Sequence, residues 1–392
     1  MNVAAQAHGL DGRLVEPDWS PLAEAEVSTL LRCFPDLEEP FRILSVSPRP
    51  LSAASVVAVR DRRVFVKRHH RRVRDREGLL EEHRFMGHLR ENAAPVPAVL
   101  CDKKGETAIE DGEWTYEVHE VPAGTDAYQD AHSWTPFRSV EHARSAGGML
   151  ARLHLAARNF AAPKRKPRPL VASFTIFAAD DPRAAIAQYI NDRPALAADA
   201  TAHRDSRFAL DLLAPFHAEL LQYLPALQPL WTHNDLHASN LFWTDDGLHA
   251  QGTAVIDFGL SDRTNAVHDI AHAIERTVVE WLALPDEPTH GDGMPVHLDH
   301  MAAFLDGYEQ IRPLAMEEAA ALAPMTALCH AEFALSEADY FLGVLRSPEK
   351  ARLATKKYLV GHAQWFRSAS GQILLDALRR RADEKSDGVS RR

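Results

Sequence analysis

The feature that most constrains this chain is a change of hydropathy period near residue 120. Between Phe41 and Glu120 the apolar residues fall in short, alternating or β-branched runs (FRILSV, SVVAV, RVFVKR, AVLCD and WTYEVHEV) separated by Pro, Ser, Asp and Gly. That is the pattern of strands joined by turns. Residues 75 to 91 interrupt it with helical spacing. Beyond VPAGTDAY, Ala, Leu and His recur in long periodic runs such as ARSAGGMLARLHLAARNF and FALDLLAPFHAELLQYL, which read as helices. The expected class is α+β with two lobes. Residues 1–40 form an N-terminal extension, 41–120 a small antiparallel sheet with one main helix, and 121–392 a larger, mainly helical lobe.

Charge and cysteine usage narrow the functions open to such a chain. With 44 basic and 55 acidic residues its formal charge is −11, which disfavours nucleic acid and anionic membrane as partners. The basic run from Lys67 to Arg76 and the segment AAPKRKPRPL therefore read as solvated charge. Cys33, Cys101 and Cys329 are odd in number and lack metal-ligand spacing, as expected for reduced thiols in a cytoplasmic protein. No stretch resembles a signal peptide or is apolar enough to span a bilayer, so a soluble protein is expected.

The stretch LWTHNDLHASNLFW, residues 230 to 243, gathers two histidines, an aspartate and two asparagines between apolar ends. It is followed by the polar turn TDDG and then TAVIDFG, a pattern for two short strands joined as a hairpin. Antiparallel pairing brings Asn240, before the first strand, beside Asp257, after the second, with Asp235 on the loop leading in. Singly, these residues also fit turns and helix caps. Together, their short oxygen-bearing side chains suit Mg²⁺, which takes one or two protein carboxylates plus substrate phosphates. His237 has no second histidine or cysteine at zinc spacing, and His272 reads as a packed helix histidine.

In the sheet region, RVFVKRHH alternates so that Lys67 shares a strand face with Phe65, opposite Val64 and Val66. Alone, Lys67 reads as a solvent lysine. On the following helix, however, Leu79, Phe85, Met86 and Leu89 define an apolar stripe with Glu82 near its centre and Glu81 well to one side. A carboxylate in a buried stripe requires a cation.

His233, Asp235 and Asn240 in H-x-D-x-x-x-x-N, followed by Ile256-Asp257-Phe258-Gly259, resemble the aminoglycoside phosphotransferase and choline kinase family, whose fold is protein-kinase-like. The resemblance implies ATP and Mg²⁺ as cofactors, with Asp235 accepting or orienting the substrate hydroxyl proton and Asn240 and Asp257 holding Mg²⁺ on the phosphates. It also implies that Lys67 pairs with Glu82 and reaches the α- and β-phosphates, and that backbone near His119 to Val121 meets adenine. His233 would brace the catalytic loop and Asp269 support it. GGMLARLH and FLDGYEQIRPL extend the likeness over roughly residues 41 to 345. One departure is clear: PRPLSAASVVAV carries Ser52, Ala53, Ala54 and Ser55 in place of a glycine-rich phosphate loop.

The expected function is ATP- and Mg²⁺-dependent phosphorylation of a small-molecule alcohol of aminoglycoside, amino alcohol or sugar type. The alternatives are a protein or peptide kinase and a catalytically silent nucleotide-binding module. The quick passage from Asp257 into a helix leaves little room for an activation segment, which favours small molecules. Asp262, Glu275 and Glu280 are candidates to receive a substrate amino group.

Overall fold

The computed structural model describes residues 7–8, 14–38, 40–283 and 296–390; the remainder of the N-terminal extension lies outside them. The small lobe is a five-stranded sheet of β1 (Phe41–Val46), β2 (Ala53–Val59), β3 (Arg62–His70), β4 (Ile109–Asp111) and β5 (Trp114–Glu120). Its spatial order is β1-β2-β3-β5-β4, antiparallel throughout. Lys67 lies opposite Ala54 on β2 and Glu117 on β5. The AVLCD run is an extended edge rather than a full strand: Leu100 N–H donates to Val118 (2.8 Å) and Glu120 N–H to Ala98 (2.9 Å).

The two faces of the sheet have different partners. Val57, Val59, Val64, Val66 and Val118 point outward into a core completed by Leu22, Val27, Leu30, Leu31, Phe34 and Leu37 of the extension. Helix α1 (Glu24–Leu31) supplies three of those residues, Val27, Leu30 and Leu31. The described part of the extension is thus integral to the small lobe's core. It is also tied to the other lobe, since Asp18 accepts from Tyr340 Oη at 3.0 Å and pairs with Lys350. Two charges expected in solvent are buried: Arg68, bonded to Glu26 at 2.8 Å, and Arg74. Strand alternation turns Arg68 under the extension, and Arg74 is drawn inward by a buried carboxylate.

Helix α2 (Arg76–Glu91) starts at Asp75, whose carboxylate accepts from the Gly78 N–H. Its residues Phe85, Met86 and Leu89 join the core of the helical lobe, so α2 bridges the two lobes. That lobe contains α3 (Val140–Ala156), α4 (Ala200–Leu220), the antiparallel pair β6 (Pro229–Thr232) and β9 (Asp262–Asn265), and the hairpin β7 (Leu241–Trp243) with β8 (Gly252–Val255). The hairpin anticipated from LFW and TAVIDFG forms, pairing Leu241 with Val255. Helix α5 (Ala266–Val278), capped by the Asn265 side chain, is buried at every residue. Helices α6 (Leu298–Glu309), α7 (Met316–Leu328) and α8 (His330–Asp339) complete the surroundings of the site. Among the described residues no helix is long and apolar enough to cross a membrane.

Helices α3 and α6 cross at two glycines. A Cβ on Gly147 would lie 1.9 Å from the Phe304 carbonyl oxygen, and one on Gly307 1.9 Å from that of Arg144. Because neither neighbour is a movable side-chain end, Gly147→Ala and Gly307→Ala should each lower stability by about 1–3 kcal/mol. Urea unfolding checks this; a parental midpoint in both variants would contradict the close crossing.

Candidate active site

The loop after β6 is held from below by α5. Asp269, in the first turn of α5, accepts from the backbone N–H of His233 and of Asn234 (both 2.8 Å) and from His154 Nε2 (3.0 Å). Burial pushes its carboxyl up, but the His154 bond and the neighbouring histidines outweigh this and hold it below the usual range. His233 Nδ1 accepts from the Asp235 N–H at 3.1 Å, and its Nε2 reaches the Ile256 carbonyl at 2.9 Å. Nε2 therefore carries the proton, and the ring ties the loop to the end of β8.

This places Asp235 with its oxygens divided between two donors. One pairs with Arg276 Nη1 and the other accepts from Asn240 Nδ2 at 3.1 Å. Burial outweighs the Arg276 charge and raises the Asp235 carboxyl to about 6. Across the site, Asp257 follows β8 in a left-handed conformation (φ 60°), and its Oδ1 accepts from Lys67 Nζ at 2.9 Å. Burial opposes ionisation here too, but the Lys67 charge and hydrogen bond hold the Asp257 carboxyl well below its ordinary value. Burial likewise works against the Lys67 ammonium, and the Asp257 and Glu117 charges outweigh it, raising Lys67.

Lys67, Asp235, Asn240 and Asp257 line one cavity of about 160 Å³. The loop Arg49–Ser52 covers it, and His132, Trp134, Leu282, Phe333 and Glu337 form its far side. The donor chemistry fits a magnesium ion. Asn240 Nδ2 is committed to the main-chain and side-chain oxygens of Asp235 (2.9 and 3.1 Å), leaving its amide oxygen to join the Asp257 carboxylate as a hard ligand.

The expected Lys67–Glu82 pair does not form. Glu82 Oε1 accepts instead from Arg74 Nε (2.6 Å) and Arg165 Nη2 (2.7 Å), because two buried guanidinium groups reach it while Asp257 takes the lysine. Arg165 lies in the AAPKRKPRPL segment, whose charges were expected in solvent, yet it is 5% exposed. Glu82, His119 and Val121 lie outside the cavity lining. His119 Nε2 is 2.8 Å from Glu117 Oε2, and the Val121 N–H points to the Arg63 carbonyl at 3.4 Å.

Residues 48–314, more than half of the chain, match the model of the phosphotransferase enzyme family. The chain belongs to that family. Among solved structures, this phosphotransferase is similar to an aminoglycoside phosphotransferase from Alicyclobacillus acidocaldarius (18% identity, TM-score 0.53, 93% of this chain and 98% of that one). It is also similar to a microcompartment-associated aminopropanol kinase (16%, 0.57, 89% and 99%) and to an amicoumacin kinase in complex with AMP-PNP, Ca²⁺ and Ami (14%, 0.54, 90% and 97%). At these identities the likeness is one of fold, and that fold is protein-kinase-like. No curated protein sequence matches the chain.

Four cations at or beside the phosphotransferase site escaped the sequence: Arg49 and Arg74, which line the cavity, and Arg165 and Arg276 behind it. Arg276 had a signal, because Asp269 and Arg276 are seven residues apart and so share the α5 face that meets the 233–235 loop. Arg49 and Arg165 sit in irregular segments where periodicity says nothing. Of the acidic residues considered for a substrate amino group, Asp262 accepts from the Arg165 and Arg263 N–H groups (both 2.7 Å), Glu275 bonds His362 (2.7 Å) and Glu280 bonds His297 (2.9 Å). Glu337 alone among the carboxylates of the far side lines the cavity, and its Oε2 has no partner.

Removing Glu82 leaves two buried guanidinium groups without their shared carboxylate. Glu82→Ala should therefore cost about 3–5 kcal/mol of stability, read by urea unfolding. A loss below about 1 kcal/mol, the value of an exposed pair, would show that the buried network is not formed.

Proposed function

We propose that this phosphotransferase uses ATP and Mg²⁺ to phosphorylate the hydroxyl of a small-molecule alcohol. The observation that carries the reading is the contrast between two carboxylates on one cavity wall. Asp257 is held ionised by Lys67, as a metal ligand must be, while Asp235 is raised toward neutrality, where a proton acceptor works best. Bound ATP·Mg²⁺ supplies the transferable phosphoryl group and the divalent charge that neutralises it. Asp257 and Asn240 hold the cation, Lys67 meets the phosphates from β3, and Asp235 orients the acceptor hydroxyl and takes its proton. Arg49, on the loop where glycines are absent, lines the same cavity with its guanidinium bonded to the Ala131 carbonyl at 2.9 Å.

The acceptor occupies the far side, where Trp134 and Phe333 give apolar walls and Glu337 receives an amino group. Amino alcohols are thus preferred over neutral sugars. The likeness to an aminopropanol kinase and to an amicoumacin kinase, the latter in complex with a nucleotide analogue and a divalent cation, supports the same direction. Helix α5 begins at Ala266, soon after Asp257, so the phosphotransferase has no long segment there for docking a peptide.

ATP consumption against a panel of amino alcohols, aminoglycosides, sugars and a hydroxyl-bearing peptide, with and without Mg²⁺, tests the proposal. Turnover of the peptide alone would replace it. Asp257→Ala should abolish Mg²⁺-dependent turnover, because the oxygens of Asp235, the other carboxylate on that wall, are committed to Arg276 and Asn240. Asp235→Asn should leave nucleotide affinity within a few-fold of the parent and cut transfer by about 10²- to 10⁴-fold. Calorimetric titration with nucleotide, beside a thermal unfolding scan, separates that loss from the destabilisation expected when Arg276 loses its counter-charge. Collapse of nucleotide affinity in a folded Asp235→Asn variant would assign Asp235 to the metal instead.

A further inference from the structure

The sheet face that looks toward α2 carries a cluster of three histidines around Glu117, beside Lys67. Glu117 and His119 on β5 share that face with Lys67 on β3, and His83 reaches it from α2. Nε2 of His83 and Nε2 of His119 each lie 2.8 Å from the same oxygen, Glu117 Oε2. His69 Nε2 holds the other oxygen, Oε1, at 2.9 Å. One ligand atom from each of His83, Glu117 and His119 falls within 4.8 Å of the other two.

We propose that His83, Glu117 and His119 form a binding site for a transition metal ion of the zinc type, separate from the magnesium site at Asp257. Tetrahedral zinc with bonds of about 2.0–2.2 Å sets neighbouring ligand atoms roughly 3.3 Å apart, so two nitrogens already converging on one carboxylate oxygen need to open by only about half an ångström. The support expected around such ligands is also in place. His83 Nδ1 is 2.9 Å from Thr107 Oγ1, so its proton can sit on Nδ1 and leave Nε2 bare for the metal. His69, bonded to Oε1, fixes the carboxylate so that Oε2 faces the two imidazoles. His83 and Glu117 are buried, while the His119 side chain is 13% exposed and gives the cluster one wet edge, suited to ion entry and to a water as fourth ligand. Two imidazoles and one carboxylate select zinc over Mg²⁺ and Ca²⁺, which prefer oxygen alone.

The test uses the full chain, stripped with a chelator and dialysed against zinc chloride, with metal content measured by mass spectrometry and affinity by competition with a chromophoric chelator. One zinc per chain is expected at micromolar or lower free zinc, and X-ray absorption should show two imidazole nitrogens in the first coordination sphere. The double variant His83→Gln/His119→Gln should lose at least about 100-fold in zinc affinity, and Thr107→Ala, which leaves every ligand in place, about 10-fold. An unfolding scan in zinc-free buffer confirms that each variant is folded; if the double variant is not, the absorption spectrum and Thr107→Ala decide. No zinc uptake by the parent would overturn the proposal and leave a self-contained hydrogen-bonded cluster. So would unchanged affinity in the folded double variant, which would place the ion at the half-buried cluster of His297, Asp299 and His300. Neither readout depends on phosphotransferase activity.

Discussion

The carboxylate of Glu82 is the point on which the two lobes are set. It is buried in the middle of an apolar helix stripe, where an uncompensated charge is untenable. Arg74, from the loop before α2, and Arg165, from the far lobe, both close on it. The same two guanidinium groups reach the Gly259 carbonyl, two residues beyond Asp257. One buried anion therefore links helix α2, the inter-lobe segment and the loop that follows Asp257, close to where Lys67 meets Asp257. A planar guanidinium can serve several acceptors in fixed directions, which a lysine ammonium cannot do as well. That difference explains why arginines, and not Lys67, occupy Glu82.

A second constraint acts from beneath. Helix α5 is buried on all sides, yet it contains Asp269 and Arg276 on the face under the catalytic loop. Asp269 collects the N–H groups of His233 and Asn234, and Arg276 donates to the Asn234 carbonyl (2.9 Å) while pairing with Asp235. The loop is thus anchored through its backbone, and the Asp235 side chain is aimed by a charge that cannot move away. Placing charged groups inside a helix that could have been apolar costs stability, and in return it holds the 233–235 loop in one position.

The phosphotransferase site gains its chemistry from unequal treatment of like groups. Burial works against ionisation of both Asp235 and Asp257, whose side chains are 17% and 38% exposed. The outcome differs because Asp257 receives a lysine with a 2.9 Å hydrogen bond while Asp235 faces the charge of Asp257 as well as that of Arg276. Two residues of one type are thereby sorted into a carboxylate held ionised and one that holds a proton more readily.

Local spacing alone determined the strand-rich first part, the helical remainder and the 241–255 hairpin, because pairing and periodicity act over a few residues. It also brought Asn240 and Asp257 together, since a hairpin leaves no other place for residues at its two ends. The helical period likewise put Glu82 on a buried stripe and required a cation beside it. Which cation it met was decided only in three dimensions: Arg165 is 83 residues away in an irregular segment, and no periodicity reports where such a side chain turns. The same holds for Arg68, whose burial depends on the extension folding over the sheet, and for Glu337, which reaches the cavity from α8. Short-range pattern specifies elements and the residues at their ends; the pairing of buried charges depends on which elements approach one another, and that is a property of the packed chain.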